Sequence, residues 1–356
     1  MSRFSGIALV VLSLTLSAGV LEAQWLKEPT KGIPRTKDGK PNLEAPSPRA
    51  ADGKPDLSGL WRFDSGAYGG NVFADLKPEE MRPGVDALYK QRMEDLGKDD
   101  PSTFRCLPSG PRSLYTPPGW VRIIQTPLVI AVLYEDLTFR QIFMDGRALP
   151  KDPNPSFMGY SVGRWDGNTL VVDSIGFNET SWLDFGGHPH SEALRTTERL
   201  TRKNFGRLDV EVRFDDPTII THPFSVPVHA EIVTDSEMLE YVCAENQKDV
   251  EHLVGKASDD KKLAVNVSPQ LLAQYVGSYS SKAPDDPNNV MKFNITRSGD
   301  TLSMDVGGKD SQEMIALSNE TFSIMGVRLD FVKEGDTVTH LIFHIVEGDM
   351  KATKDR

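Results

Sequence analysis

The sequence predicts a mostly β fold: an antiparallel, barrel-like main domain with one helix, followed by a smaller C-terminal β-barrel. Three observations lead there. Short runs rich in β-branched and aromatic residues recur from Val121 onward, separated by turn-forming pieces. One of them, Leu208, Val210, Val212 and Phe214 alternating with Asp209, Glu211 and Arg213, has the period of two that gives a strand one dry face and one wet face. A polar, charged stretch over 247–267 then divides the strands into two groups, and 356 residues with 38% hydrophobic content suffice for two cores.

The elements follow in order. Arg3, the apolar run Ile7 to Ala18 and the small-residue point at Ala23-Gln24 read as a secretory signal peptide over 1–23. The run is too short to span a bilayer, and no cysteine at the cleavage point offers a lipid anchor. The expectation is a soluble mature chain without a membrane span, periplasmic or secreted; a retained N-terminal anchor is the alternative. Cleavage removes one cation (Arg3) and one anion (Glu22), so the net charge stays at −11. That acidity argues against nucleic acid or an anionic membrane as partner.

Residues 24–57 form a proline-rich strap with an internal repeat: Pro34-Arg35-Thr36-Lys37-Asp38-Gly39-Lys40-Pro41-Asn42-Leu43 returns as Pro48-Arg49-Ala50-Ala51-Asp52-Gly53-Lys54-Pro55-Asp56-Leu57. Two copies are too few for a solenoid. They read as turns of a strap over the domain surface, with peptide recognition as the alternative.

The main domain is expected over 58–246. Val85, Leu88, Tyr89 and Leu96 share one face of a helix over 78–97 that Gly97 can close. Strands follow at 121–126, 128–135 and 138–144. Trp165-Asp166-Gly167-Asn168 carries the Asp-Gly hairpin signal, and further strands are expected at 226–233 and 238–243. This even spacing suggests a closed barrel or strongly curved sheet, with a β-sandwich as the alternative. After the linker at 247–267, Ser268-Pro269 opens a short helix to Tyr275 in a second domain over 268–356. Strands are expected there at 291–296, 301–306, 321–324, 327–332 and 338–346.

Cys106 and Cys243 are the two cysteines. In an oxidising compartment they most economically form a disulfide; two buried thiols are the alternative.

Asp56-Leu57-Ser58-Gly59-Leu60-Trp61, Phe143-Met144-Asp145-Gly146-Arg147, Gly163 to Asp173 and Leu239 to Asn246 together resemble a family of secreted bacterial proteins of uncharacterised function, over about residues 34 to 256. Gly59-Leu60-Trp61 ahead of antiparallel strands is similar to the opening motif of lipocalin-type (calycin) barrels. Leu271-Leu272-Ala273-Gln274-Tyr275-Val276-Gly277-Ser278-Tyr279 resembles the small lipocalin-like domain appended to penicillin-binding-type serine hydrolases. There it is accessory, so the resemblance places no catalytic residue in it.

The chemistry-bearing residues crowd between Trp182 and Arg202. His188 and His190 are two apart and Glu192 two further, so an extended chain points all three one way. With Asp184 they form a candidate proton-handling set, or a metal-binding set of His188, His190 and Glu192. No H-E-x-x-H or Cys/His ligand set accompanies them, so no cofactor is expected, although a divalent metal remains open; solvated loop histidines are the alternative. Arg147, Arg195 and Arg199 are candidates to hold an anionic part of a substrate. Glu198 falls on a face with Leu194 and Leu200, and if buried needs a partner, for which Arg140 is a candidate; an outward salt-bridge ladder is the other reading. Trp165, Trp182 and Tyr241 suit either the floor of a ligand site or the core.

Gly159-Tyr160-Ser161-Val162-Gly163 matches G-x-S-x-G, but a hairpin follows where that motif needs a helix, so Ser161 reads as a strand residue. Asp285, Asp286, Asn288 and Asn289 lack the ordered spacing of a calcium loop and read as a polar turn. The leading functional expectation is an exported enzyme acting on a small molecule, a hydrolase or lyase. The competing one is a non-catalytic lipocalin-like protein binding an apolar or carbohydrate ligand, and a third is a structural envelope protein. The oligomeric state is left open.

Overall fold

The computed structural model describes residues 30–245 and 255–355, except 284–285, 307–308, 325, 336 and 346–347. The expected signal peptide, residues 246–254, Asp285 and the side chains of Asp286, Asn288 and Asn289 lie outside the described residues.

Nine strands close the larger barrel: β1 (Gly59–Asp64), β2 (Val121–Gln125), β3 (Val129–Tyr134), β4 (Phe139–Phe143), β5 (Tyr160–Asp166), β6 (Thr169–Ile175), β7 (Arg195–Arg202), β8 (Arg207–Asp215) and β9 (Phe224–Ile232). Eight close the smaller: β10 (Gly277–Ala283), β11 (Asp286–Ser298), β12 (Thr301–Val306), β13 (Lys309–Ala316), β14 (Thr321–Ile324), β15 (Val327–Glu334), β16 (Thr337–Ile345) and β17 (Gly348–Lys354). The sequence reading missed β10, β13 and β17.

An even ring can alternate direction throughout, and the smaller barrel is antiparallel at every seam. An odd ring cannot, so one neighbouring pair must be parallel. In the larger barrel it is β4 and β5, which pair only at Ile142 with Ser161 and Phe143 with Val162. A parallel neighbour needs a long connection, and residues 144–159 provide it.

Period-two alternation drives both cores. In β8, Leu208, Val210, Val212 and Phe214 are buried while the charged residues between them face out. They meet Trp61, Ile123, Ile130, Leu170 and Val226 in one cluster. Each such side chain contributes roughly 1.5–3 kcal/mol when fully buried.

The helix expected over 78–97 is shorter than its periodicity implied. Pro83-Gly84 interrupts it, with Gly84 at φ +90°, and α1 runs Val85–Glu94. α2 (Pro101–Arg105) is capped by Asp100, which accepts from Ser102 N at 2.9 Å. The strand expected at 238–243 does not form. That segment instead crosses the β3–β4 turn, Leu239 N donating to Glu135 Oε1 (3.0 Å) and Tyr241 N to Glu135 O (2.8 Å). It ends at the Cys106–Cys243 disulfide, with Cα atoms 5.5 Å apart.

The repeat folds as two copies of one turn. Thr36 N bonds Lys40 O and Ala50 N bonds Lys54 O (2.8 and 2.9 Å), while Arg35 and Arg49 each donate to the carbonyl of the turn glycine, Gly39 or Gly53. Both glycines have φ near +80° (+82° and +80°), where a side chain would be strained. The first copy docks on Asp235 through Arg35 (Nη1 to Oδ2, 3.2 Å), the second on the β5–β6 turn through Arg49 to Asn168 (3.1 Å) and Lys54 to Gly167 O (3.2 Å). Under the strap, the buried Arg202 guanidinium binds the carbonyls of Asp56, Ser58, Asn204 and Phe205 and lies 4.8 Å from the Trp61 ring. Burial pushes Arg202 down to about 10, still a cation at neutral pH.

A short turn, α3 (Asp259–Lys262), and α4 (Pro269–Tyr275) lead into the smaller barrel. Ser268 caps α4, accepting from Leu271 N at 3.3 Å. Its core is aromatic and aliphatic: Tyr275 stacks on Phe331 (3.9 Å) beside Tyr279, Phe322 and Phe343. α1 reaches the segment that leads to the smaller barrel, its Glu94 carbonyl accepting from Ala257 N (2.9 Å) just ahead of α3.

Candidate functional site

The loop between β6 and β7 carries the predicted cluster. Leu183 N donates to His188 O (2.8 Å) and closes a turn through Gly186-Gly187. A Cβ at Gly186 would lie 2.5 Å from Gly70 O and 2.6 Å from the Tyr89 ring, so only glycine fits there. Inside the turn, Asp184 is fully buried and accepts four hydrogen bonds: Val72 N (2.7 Å), Gly187 N (2.7 Å), His188 N (2.9 Å) and His188 Nδ1 (2.5 Å). The His188 ring is sandwiched between Tyr89, stacked at 3.9 Å, and Phe73 at 4.4 Å. Its Nε2 meets no hydrogen-bond partner among the described residues.

His190 lies in separate surroundings. Its Nε2 is 3.0 Å from Ser181 Oγ and its Nδ1 faces Ser191 O at 3.4 Å. Burial pushes it down to about 4, against smaller raising effects of Ser191 O and Asp216, so the ring is neutral at neutral pH. Glu192 is exposed on the turn that follows, closed by Leu194 N to Ser191 O (3.1 Å). His188, His190 and Glu192 therefore do not converge. The Asp184-capped turn ends at His188 and a second turn, Ser191 to Leu194, holds Glu192, so no single extended run carries all three. Among the described residues no group of three or more His, Cys, Asp or Glu is placed to hold a metal ion.

Around this loop, Arg92 donates to Gly187 O (2.6 Å) and covers the buried Trp182 ring at 4.5 Å. Buried Arg112 pairs with Asp100 (3.1 Å) and lies against the exposed Phe185 ring. Burial alone would raise the Asp100 carboxyl, but Arg112 and the Ser102 and Thr103 hydroxyls hold it lower than usual.

A second polar cluster sits inside the larger barrel. β7 turns Thr196, Glu198, Leu200 and Arg202 inward and Arg195 and Arg199 outward. Glu198 meets Arg140 at 2.5 Å, and Arg140 also donates to Ser161 Oγ (2.9 Å) and Ser174 Oγ (2.8 Å). Burial pulls Arg140 down, but the Glu198 charge outweighs it and leaves the guanidinium raised. Tyr134 beside them is raised by burial and stays protonated. Ser161 is thus a buried ligand of Arg140 within β5. No open space adjoins Gly163, where a Cβ would lie 2.4 Å from Met144 Sδ and 2.9 Å from Ile142 Cγ2.

The other predicted residues lie apart. Arg147 forks onto Asp145 (Nη2 to Oδ2 2.6 Å), touches Tyr160 OH (3.1 Å) and stacks on Phe143 (3.9 Å), an exposed arrangement fixing its own turn. Arg199 pairs with Asp166 (3.0 Å) on the outer wall, where Arg195 is also exposed. Trp165 packs against the core and Tyr241 is exposed. Sequence reasoning missed Ser181, Tyr89 and Phe73 as neighbours of the histidines. The Val85-Leu88-Tyr89 helical face was the one available signal, and it reads equally as core.

Open space is found along β7–β9 on the larger barrel, about 460 Å³, and around the smaller barrel. A hollow of about 830 Å³ opens beside α4, floored by buried Val267, Leu272, Leu302, Met314 and Phe322 and rimmed by Lys261, Asn266, Asp300 and Glu313. A neighbouring one of about 400 Å³ lies between α1 and β13, with Tyr89 and Met93 on one wall. Lys261, Glu313 and Ile315 line both, so they adjoin. Both lie where β13 parts from β14, to which it is paired only at Ile315 and Ala316 among the described residues. Compared with known proteins, the chain matches no family model and no curated protein sequence.

Proposed function

We propose that this is an exported binding protein that takes a small amphipathic molecule beside α4 of the smaller barrel. The observation that supports this most is the hollow of about 830 Å³ with an apolar floor and a charged rim. Its size falls in the range of ligand sites, and barrel mouths and domain junctions are where such sites concentrate. The floor suits a hydrocarbon or ring portion, and Lys261 suits an anionic group. The larger barrel, filled by its own side chains, then serves as the rigid body that presents the smaller one. The Cys106–Cys243 disulfide supports a site of action outside the cytoplasm, and no described helix is long and apolar enough to cross a membrane.

Anilinonaphthalene sulfonate, apolar with one anionic group, tests this. Fluorescence of the bound probe on the full chain is expected to fall for Ala264→Trp, which fills the hollow from an exposed position, and to weaken for Lys261→Glu. Unchanged probe binding in Ala264→Trp would sink the reading.

A catalytic reading rests on a different observation, the carboxylate of Asp184 on His188 Nδ1 at 2.5 Å. That pairing orients an imidazole for general-base work. In this reading the protein is a hydrolase or lyase, and Tyr89, whose ring also lines the smaller hollow, must swing aside to admit substrate. A turnover that His188→Gln abolishes without lowering the melting temperature would favour it over simple binding.

A further inference from the structure

Two seams of the smaller ring are short, and they lie on opposite sides of it. β13 meets β14 only at Ile315 and Ala316, beside the hollow next to α4, while β10 meets β17 only at Tyr279–Lys354 and Ser280–Thr353. Beyond Ser280 the two strands part. β10 stays paired with β11 as far as Ala283, and β17 stays paired with β16 from Gly348 onward. A separate hollow of about 570 Å³ opens between them.

The hydrogen-bond register sets what faces this opening. Asp355 N donates to Ser278 O (2.8 Å). In an antiparallel ladder, residues two apart turn their amide groups the same way, so Ser280 and Lys282 face β17 while Thr353 and Lys351 face β10. The next exchange in that series is Lys282 with Lys351, N–H to carbonyl in both directions. It is not made. The hydroxyl of buried Ser281 takes its place, 2.7 Å from Lys351 O and 3.3 Å from Lys282 O. Both carbonyls thus lie against a donor, and the two N–H groups face the opening without a strand partner among the described residues.

The side chains add positive charge. Lys282 and Lys351 line the hollow, and neither meets a carboxylate among the described residues. Lys292 stands opposite Ser280 on β11. The one carboxylate in the lining, Asp349, is already engaged: it accepts from His344 Nδ1 (2.8 Å), whose Nε2 meets Asp330 (3.0 Å). Those two contacts raise His344 above its ordinary value and set its charge beside Asp349. Asp286 pairs with Ala283 on the far, β11 side of β10, and Asp355 lies beyond the closed part of the seam, where it accepts from Ser280 Oγ (3.1 Å). Val290 and Met350 supply an apolar wall.

We infer that this seam binds the phosphate group of a small phosphomonoester, its oxygens on the Lys282 and Lys351 side chains and backbone N–H groups and its organic part against Val290 and Met350. Sheet edges with unpaired N–H groups make anion-binding concavities, and lysine serves phosphate as a point charge. Two lysines balance the two charges of the ester. An added peptide strand fits less well, because it needs free carbonyls as well as N–H groups, and Ser281 occupies those. The site is separate from the hollow beside α4, and neither depends on the other.

Calorimetric titration of the full chain with phenyl phosphate tests the assignment. The seam variant is Lys282→Gln with Lys351→Gln; Lys77→Gln with Lys151→Gln makes the same charge change at exposed positions away from the smaller barrel. The wild type and the control are expected to bind one equivalent, and the seam variant to show a dissociation constant raised about tenfold or more. In amide spectra of the isotope-labelled chain, the Lys282 and Lys351 N–H signals are expected to move most as phenyl phosphate is added, whereas two surface lysines acting alone would leave them still. Vesicles containing phosphatidic acid separate two sources of the group. Phenyl phosphate bound without vesicle binding assigns a soluble ester; vesicle binding lost in the seam variant assigns a lipid headgroup. A chain that binds neither probe overturns the inference, including one that binds an extended peptide instead. So does binding that the seam variant retains, or that leaves the two amide signals unmoved.

Discussion

The two barrels are stabilised by different means. Among the described residues every buried charged side chain belongs to the larger barrel and its loops, while the smaller one buries only Ser281 and Ser323 of its polar residues. The larger barrel is bolted by Arg140–Glu198, Arg112–Asp100, Arg202 on its carbonyls, the Asp184 turn and a disulfide. The smaller holds by apolar contact and leaves a hollow. The lesson is that buried polar groups mark where this chain needs a single rigid arrangement. The hollow beside α4 lies where they are absent.

All five tryptophans (Trp25, Trp61, Trp120, Trp165 and Trp182) precede the smaller barrel, so tryptophan fluorescence during urea unfolding follows the larger one alone. The largest effect is expected from Cys106→Ser with Cys243→Ser. Opening a loop of 137 residues removes as much as about 5 kcal/mol from the larger barrel by the loop-entropy model. An unchanged urea midpoint would break the comparison at its root.

Next is Glu198→Gln, which strands the buried Arg140 charge and is expected to lower stability by about 3–5 kcal/mol. The paired change Arg140→Met with Glu198→Leu should recover most of that loss, because neither partner is then left unpaired. If the double variant is as unstable as the single one, the pair does more than neutralise itself.

Acid sharpens the contrast further. His190 is held near 4 in the fold against an ordinary value of 6.5, so the unfolded chain takes up its proton first as pH falls. Stability from this group is complete above about 6.5 and is lost as pH falls toward 4, by about 3 kcal/mol in all. His190→Gln should flatten that slope in the tryptophan-reported transition. A slope unaffected by the substitution would assign the acid sensitivity to other groups.

The smallest effect belongs to the other barrel. Ser323→Ala removes its hydrogen bond to Asp260 and is expected to shift the second calorimetric transition by only about 1 kcal/mol. A loss several times larger would mean that the smaller barrel also depends on polar fixing.

Much of the fold was legible because alternation is a local signal. Leu208 to Phe214 announces β8, Asp166-Gly167 announces the β5–β6 turn, and the pattern of β7 offered an inward Glu198 partnered by Arg140 beside an outward ladder, of which the structure has the first. What stayed hidden depends on the ring as a whole. Nothing local states that the strands of the larger barrel number nine, and so nothing predicts the parallel β4–β5 pair. The cluster at 184–192 misled for a related reason. A spacing of two aligns side chains only along one extended run; here the Asp184-capped turn holds the His188 ring on its own carboxylate, and Glu192 falls in the next turn, closed by Leu194 N to Ser191 O. The hollow beside α4 was invisible because it is made by residues from 261 to 322 that share no motif.

Ring closure in the larger barrel joins Trp61 to Ile232, residues far apart along the chain. As the chain folds, β1 through β8 can associate, yet the sheet keeps two raw margins until β9 is in place. Contacts of such long sequence separation form slowly. The disulfide partner Cys243 and the strap anchor Asp235 both lie just beyond β9, so the clasp and the buckle can fasten only after the last stave is in place.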